Sequence, residues 1–453
     1  MDNNLLKSIL YGVAVGDALG VPVEFEDRKY LKKEPVTSMQ SFGTHDQPSG
    51  VWSDDTSLTL CLADTIAEGF DLQKLANKFI AWKDHNLWTA TGWVFDIGIG
   101  TRIAIENLAD GVQPEMAGGA SEKDNGNGSL MRILPLLVLT KDLPIEARFE
   151  LTKKVSSVTH AHIRSVIACF YYLEFAKQIA TGRDKFEIYE TLKSEVSNFL
   201  NQLEISKSEI AFFDRLLVGD IFLRDETEIE SSGYVVHTLE ASIWCLLTTT
   251  NYKEAVLKAV NLGDDTDTTG AVTGGLAGLL YGFKGIPKKL LRVLRKVDDI
   301  NQLIHKFQST QNEFEIDIVF EYGYTGTTDC DVFTDEFKDY TISTKVIFAL
   351  TNQNGNNTLK FNYIDPASNT EQEVEIYIDD FVLSKGKTEG YSFMFSIEEQ
   401  NKSENFFLAE LIVESLPTDN YHIFNCKFEL NDHQMELLEN STIYVGKTQA
   451  ISE

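Results

Sequence analysis

The sequence predicts an all-α domain over residues 1–305, a linker at 306–313 and a β-rich, sandwich-like domain over 314–453. Three observations predict this. Apolar residues recur at three- and four-residue spacing through the first two thirds of the chain, then alternate with polar residues in the last third. The polar stretch HKFQSTQNEF (305–314) separates the two textures. Charge divides at the same place, because residues 311–453 carry 27 Asp and Glu against 8 Lys and no Arg, a net of -19 out of -29 for the chain.

In the first part, SLTLCLADTIAEGF (57–70), HIRSVIACFYYLEFAKQIA (162–180) and YVVHTLEASIWCLLTT (234–249) each place apolar residues on one helical face. Gly, Asn, Asp and Pro collect in GTHDQPSG (43–50) and GGASEKDNGNGS (118–129), which predicts loops there. The stretch TGAVTGGLAGLLYG sets Gly270, Gly274, Gly278 and Gly282 at a strict four-residue interval, one smooth helix side on which another helix can lie close. In the last part, FEIDIVFEYGY, TKVIFALT, TLKFNYI, EVEIYIDDFVL, YSFMFSI, FFLAELIVESL and YHIFNCKFEL have the period of half-buried strands.

With 453 residues the chain exceeds one ordinary core, and 43% hydrophobic with 24% charged residues is the composition of a folded globular protein. The acidic balance argues against binding a nucleic-acid backbone or an anionic membrane. It suits a basic protein partner for the C-terminal domain, although an acidic surface also simply keeps a protein in solution. Cys61, Cys169, Cys245, Cys330 and Cys426 are widely spaced with no C-x-x-C pair, which speaks against a disulfide framework and a thiolate zinc site. The N-terminal MDNNLLKSILYGVAVGDALG lacks a basic start and a cleavage site, and its length and glycines argue against a bilayer span, so a cytoplasmic protein is expected. No heptad seam demands more than a monomer.

Chemistry concentrates at two helix starts. NLGDDTDTTG (261–270) packs Asp264, Asp265 and Asp267 among threonines ahead of the glycine helix, and like charges so close repel unless something positive sits among them. N-capping needs only one aspartate. An EF-hand beginning at Asp265 fails at its twelfth position, where Leu276 stands in place of a bidentate glutamate. A hard-cation site remains, and VWSDDTSLTL (51–60) repeats the pattern with Ser53, Asp54, Asp55 and Thr56. Two such starts favour one shared oxygen-rich site for a pair of Mg²⁺ or Mn²⁺ ions. Glu24 follows a Gly-Pro loop, while GIGTR (98–102) and GNGSLMR (126–132) are glycine-rich turns whose free amides could cradle phosphates. His160 and His162 in THAH sit at a helix entry, where capping or hydrogen bonding is commoner than ligation.

Taken together, GDALGVPVEF, WSDDTSL, GNGSLMR, THAH, VVHTLEASIWCLL and LGDDTDTTGAVTGGLAGLLYG resemble, in order and spacing, the ADP-ribosylglycohydrolase family over about residues 5 to 295. The resemblance implies an all-α fold around two Mg²⁺ (or Mn²⁺) ions and an ADP-ribosylated protein or small molecule as substrate. It implies Ser53, Asp54 and Asp55 as metal ligands from one side, Asp265, Asp267 and Thr268 from the other, and Asp267 as the bridge. Glu24 matches a mobile acidic residue of some relatives. Gly98, Gly100, Asn127, Gly128, Ser129 and His160 match segments that hold the diphosphate and ribose. Departures are Ser53 where threonine is common, and Asp264 where glycine is, the latter expected to point outward. No aromatic pair for the adenine is evident, and the C-terminal domain lies outside the pattern.

Cleavage at the ribose anomeric carbon builds oxocarbenium-like charge, so a carboxylate that steers or deprotonates water is expected, with Asp55 and Glu24 as the candidates. A different class of function stays open: an antitoxin or immunity-type protein that blocks a basic partner or an ADP-ribosylating toxin by binding alone.

Overall fold

The computed structural model describes residues 2–311 and, beyond them, backbone strands between Glu313 and Glu429; side chains are described for residues 4–307. The chain divides into a helical unit, Met1–Phe307, and a second unit, Gln308–Glu453. The helical unit is all-α, with its longer helices at Asp2–Gly20, Asp54–Ala67, Leu72–His85, Ile99–Ala109, Ile145–Ser157, Ile163–Ala180, Lys185–Gln202, Val235–Leu247, Tyr252–Val260, Thr266–Tyr281 and Val297–Gln311.

At its centre the N-terminal helix Asp2–Gly20 lies directly on Thr266–Tyr281. The glycine spacing explains the closeness, and it is matched on the partner. A Cβ on Gly12 would meet the Gly274 carbonyl oxygen at 2.4 Å, one on Gly16 the Gly270 oxygen at 2.0 Å, and one on Gly20 the Asp267 Cα at 2.3 Å. Each glycine costs about 1 kcal/mol of helix propensity relative to alanine. Backbone contact between the two helices offsets that cost, and neighbours reinforce it: buried Tyr252 and Tyr172 donate to the carbonyls of Gly12 and Val272, each at 2.8 Å. Gly282, fourth in the sequence series, takes no part, since it ends the helix at φ 69° with open space around it.

Two expectations change. The apolar N-terminal stretch is longer than it looked, since residues 4–23 form a 20-residue segment of mean hydropathy 1.3, apolar enough to cross a membrane, yet 94% of its apolar window is buried inside the helical unit. The expected linker 306–313 begins inside a helix, Val297–Gln311. There Leu303, Ile304 and Phe307 are buried on one side, so a polar-looking stretch keeps the helical period.

In the second unit the backbone strands run antiparallel, as where Glu313–Thr327 pairs with Ile342–Ala349 and with Asn420–Glu429. The sandwich-like packing expected for 314–453 depends on side chains that lie outside the described residues.

Candidate active site

The glycine contact determines where the acidic residues fall. Because Gly20 rests on Asp267, the N-terminal helix ends beside the start of Thr266–Tyr281, and the following turn Val21–Val23 delivers Glu24 over it. Thr266 Oγ1 donates to the Gly20 carbonyl at 2.8 Å and ties the two ends. Oxygens of Glu24, Asp265 and Asp267 consequently lie within 4.8 Å of one another.

The second acidic start joins them through the same N-terminal helix. Asp17 accepts hydrogen bonds from the Ser53 amide (2.9 Å), the Thr56 amide (3.0 Å) and the Thr56 hydroxyl (2.6 Å), anchoring the first turn of Asp54–Ala67. With Ser53 as the N-cap and Asp17 also serving the exposed amides, Asp54 and Asp55 are free of capping duty. Asp265 holds the N-cap position of its own helix and makes no side-chain capping bond. Both Ser53 Oγ (3.1 Å) and Thr268 Oγ1 (3.3 Å) donate to Asp55 Oδ2, so the two motifs, 200 residues apart, meet on one carboxylate oxygen.

Crowding shifts these groups strongly. Burial, and then the neighbouring carboxylates, push Asp54, Asp55 and Asp267 well above the usual carboxylate range. Burial likewise lifts Asp17 to about 6 and Glu24 to about 7, and it raises Asp96 and Asp265. Asp55 Oδ1, Asp265 Oδ1 and Asp267 Oδ2 are buried with no hydrogen-bond partner among the described residues. Orphaned carboxylate oxygens in an all-oxygen cluster fit hard divalent cations, which would supply the missing positive charge.

Over this cluster opens a cleft of about 550 Å³. Glu24, Asp54, Asp265 and Thr268 line it on the acidic side; Gly98, Gly100, Asn127, Gly128 and His160 line it elsewhere. Asn127 links the two sides, its Nδ2 lying 2.8 Å from both Asp265 Oδ2 and Thr238 Oγ1. A Cβ on Gly128 would meet the His160 ring at 2.7 Å and Thr101 Oγ1 at 2.8 Å, so this turn keeps its backbone open to a ligand only as glycine. Burial lowers His160 to about 3, and the nearby Arg132 charge adds to this, so the ring is neutral.

Several sequence-derived residues lie beneath the cleft and not on it. Ser53, Asp55 and Asp267 are buried under its acidic side. Ser129 is fully buried, its hydroxyl 2.9 Å from Ser156 Oγ and 3.4 Å from Cys169 Sγ. His162 caps Ile163–Ala180 by accepting from the Arg164 amide. Asp264 is exposed at φ 63°, pointing outward as expected.

Four residues of the site escaped sequence reasoning. Asp17, inside the quoted GDALG, was detectable as an acidic residue on an apolar helix. His45 hydrogen-bonds Glu24 and packs against Phe25 and Phe95, and its pKa is raised, first by that bond. Asp96 lies within 4.8 Å of both Glu24 and His45. Both come from loops without periodicity, so no local signal marks them. Arg132 carries the signal of a motif but none of its burial.

Comparison with known proteins identifies the family. The family model for ADP-ribosylglycohydrolase matches residues 3–315. ADP-ribosylarginine hydrolase Tri1 of Pseudomonas putida (strain GB-1) is 33% identical over 70% of this chain and 81% of its own length. ADP-ribosyl-[dinitrogen reductase] glycohydrolase of Rhodospirillum rubrum is 27% identical over 62% of this chain and 87% of its own. A solved structure described as an ADP-ribosylglycohydrolase-related protein complex is similar with a TM-score of 0.56 and 29% identity, covering 67% of this chain and 97% of that one. On the strength of the matched residues and the acidic centre that they build, the chain belongs to the ADP-ribosylglycohydrolase family of hydrolases.

Proposed function

We propose that the protein is a divalent-cation-dependent hydrolase that cleaves the glycosidic bond between ADP-ribose and a modified protein side chain, with arginine as the first acceptor to test. The observation that carries this reading is the convergence of Ser53 and Thr268 on Asp55, with unpartnered oxygens of Asp55, Asp265 and Asp267 beside it. The choice of arginine rests on the relatives named for ADP-ribosylarginine hydrolysis.

Two Mg²⁺ or Mn²⁺ ions would be held by Ser53, Asp54 and Asp55 from one helix start and by Asp265, Asp267 and Thr268 from the other. When bound they supply Lewis acidity that fixes the ribose hydroxyls and makes water a better nucleophile. The chain's own residues do the rest. The turns at Gly98, Gly100 and Gly128 line the cleft where the diphosphate would lie, and Asn127 holds Asp265 in place. Glu24 reaches the cleft surface whereas Asp55 is committed beneath it, so Glu24 is assigned to orient the attacking water and accept its proton. As the water oxygen bonds to the anomeric carbon, the bond from that carbon to the acceptor atom breaks, and the acceptor leaves with a proton. The acidic C-terminal module suits a basic protein partner.

The test is to incubate the full chain with arginine-, serine- and acetyl-linked ADP-ribose, with Mg²⁺ or with chelator, and to measure free ADP-ribose. Release from the arginine linkage in Mg²⁺ alone is expected, and undiminished release in chelator would overturn the reading. Silence on all three substrates, together with stoichiometric inhibition of an ADP-ribosylating enzyme, would favour the blocking role.

A further inference from the structure

Arg132 is a buried feature near the cleft that the proposed reaction leaves unused. It is 0% exposed, stacks over the Phe79 ring at 4.7 Å, and makes no ion pair with a carboxylate among the described residues. Among the described residues its Nε and Nη1 have no hydrogen-bond partner and only Nη2 is engaged, donating to the Val155 carbonyl (3.2 Å) and to Thr159 Oγ1 (2.7 Å). A buried, uncompensated guanidinium is destabilising, so its position calls for a use.

That use lies one bond further on. Thr159 Oγ1 is 2.9 Å from His160 Nδ1. Arginine only donates, so one hydroxyl lone pair of Thr159 is taken. If Nδ1 carried a proton and donated too, the hydroxyl hydrogen would have no acceptor, because Arg132 and His160 are the only hydrogen-bond partners of this oxygen among the described residues. The satisfied arrangement has Thr159 donating to an unprotonated Nδ1, which leaves the ring proton on Nε2. Nε2 faces Gly100, Gly126 and Gly128, where added Cβ atoms would stand 3.2 to 3.4 Å from it. Ser156 Oγ, 2.8 Å from the His160 carbonyl, steadies the backbone.

We propose that Arg132 and Thr159 are positioning residues that set the tautomer of His160, so that its Nε2–H stands in the cleft as a fixed donor to a phosphate or ribose oxygen. The identity of that oxygen rests on the ADP-ribose reading; the tautomer does not. Burial, and next the charge of Arg132, disfavour a second proton on the ring against the opposing pull of Asp124, so the donor keeps its form across neutral and mildly acidic pH.

Two measurements on the full chain in Mg²⁺ buffer test this. In ¹⁵N NMR, the His160 signals, identified by their loss in His160→Gln, are expected to show Nδ1 bare and Nε2 protonated. Thr159→Val is expected to mix the tautomers and Thr159→Ser to restore them. In calorimetry with ADP-ribose, His160→Gln, whose amide places a donor near Nε2, is expected to bind within about threefold of the parent. His160→Asn and His160→Ala are expected to bind about tenfold more weakly, the loss of one hydrogen bond. A proton on Nδ1 in the parent, or retention of affinity by Asn with loss by Gln, would overturn the proposal. The expected tautomer in a chain that does not bind ADP-ribose would uphold the relay and sink the substrate reading instead.

Discussion

The acidic and glycine-lined sides of the cleft solve opposite problems. On the acidic side, Glu24, Asp54, Asp55, Asp265 and Asp267 crowd together beside His45, and burial raises every carboxylate. On the glycine side stand backbone turns, Thr101, Lys123, Asp124, a neutral His160 and, behind it, the buried guanidinium of Arg132. One side lacks positive charge and is built to receive it; the other has positive character to spare. The contrast teaches that the cleft has a polarity, and the proposed placement of cations on one side and a diphosphate on the other follows from it.

The sharpest way to break this contrast is Asp267→Asn, which keeps the volume and removes a charge at the centre of the acidic side. Hydrolysis is expected to fall by about a thousandfold or more, and calorimetric Mg²⁺ binding to weaken with it. Full activity with unchanged cation affinity would mean that the acidic side is structural only.

Gly128→Ala probes the opposite side. Its methyl would press on His160 and Thr101, so KM is expected to rise about tenfold while Mg²⁺ affinity stays within error. A loss of Mg²⁺ affinity in this variant would show that the two sides are not separable.

Stability against pH distinguishes them with a smaller effect. Asp17 and Glu24 have folded pKa values raised from 3.8 and 4.5 to about 6 and about 7, so the stability they contribute is present below their ordinary values and lost as pH rises through 6 to 7. His160 is lowered from 6.5 to about 3, so its contribution is present above 6.5 and lost as pH falls toward 3. In chelator, the melting temperature is therefore expected to decline on both flanks of a mildly acidic optimum. Mg²⁺ is expected to lift the alkaline flank, and His160→Gln the acid one. An alkaline flank that ignores Mg²⁺ would count against cations on the acidic side.

The smallest effect belongs to Asp264→Asn. Asparagine tolerates the left-handed backbone at φ 63°, and the side chain is exposed, so activity within about twofold of the parent is expected. A large loss would place Asp264 in the acidic side after all.

Much of this was legible in the sequence, for reasons that differ by residue. Ser53, Asp54 and Asp55, like Asp265, Asp267 and Thr268, stand out because charge beside an apolar helix is a local anomaly. The helices themselves follow from a period read over a dozen residues, which is why even Val297–Gln311 is visible once Leu303, Ile304 and Phe307 are counted together. His45 and Asp96 were invisible, since loop residues owe their positions to whatever the neighbouring helices leave open. Ser129 was placed at the cleft by its motif, yet its hydroxyl turns inward to Ser156 and Cys169.

By itself, then, the sequence determined which oxygens this protein gathers, which helices carry them and the four-residue glycine spacing beneath them, all being patterns within one or two helical turns. Only the tertiary structure decided that Gly12 and Gly16 would answer Gly270, Gly274 and Gly278, that Gly20 would rest on Asp267, that Asp17 would anchor the second acidic start, and that Arg132 would lie buried behind His160. The reason is distance along the chain: periodicity records which face a residue takes, whereas convergence depends on how near two backbones come, and here missing Cβ atoms set that approach.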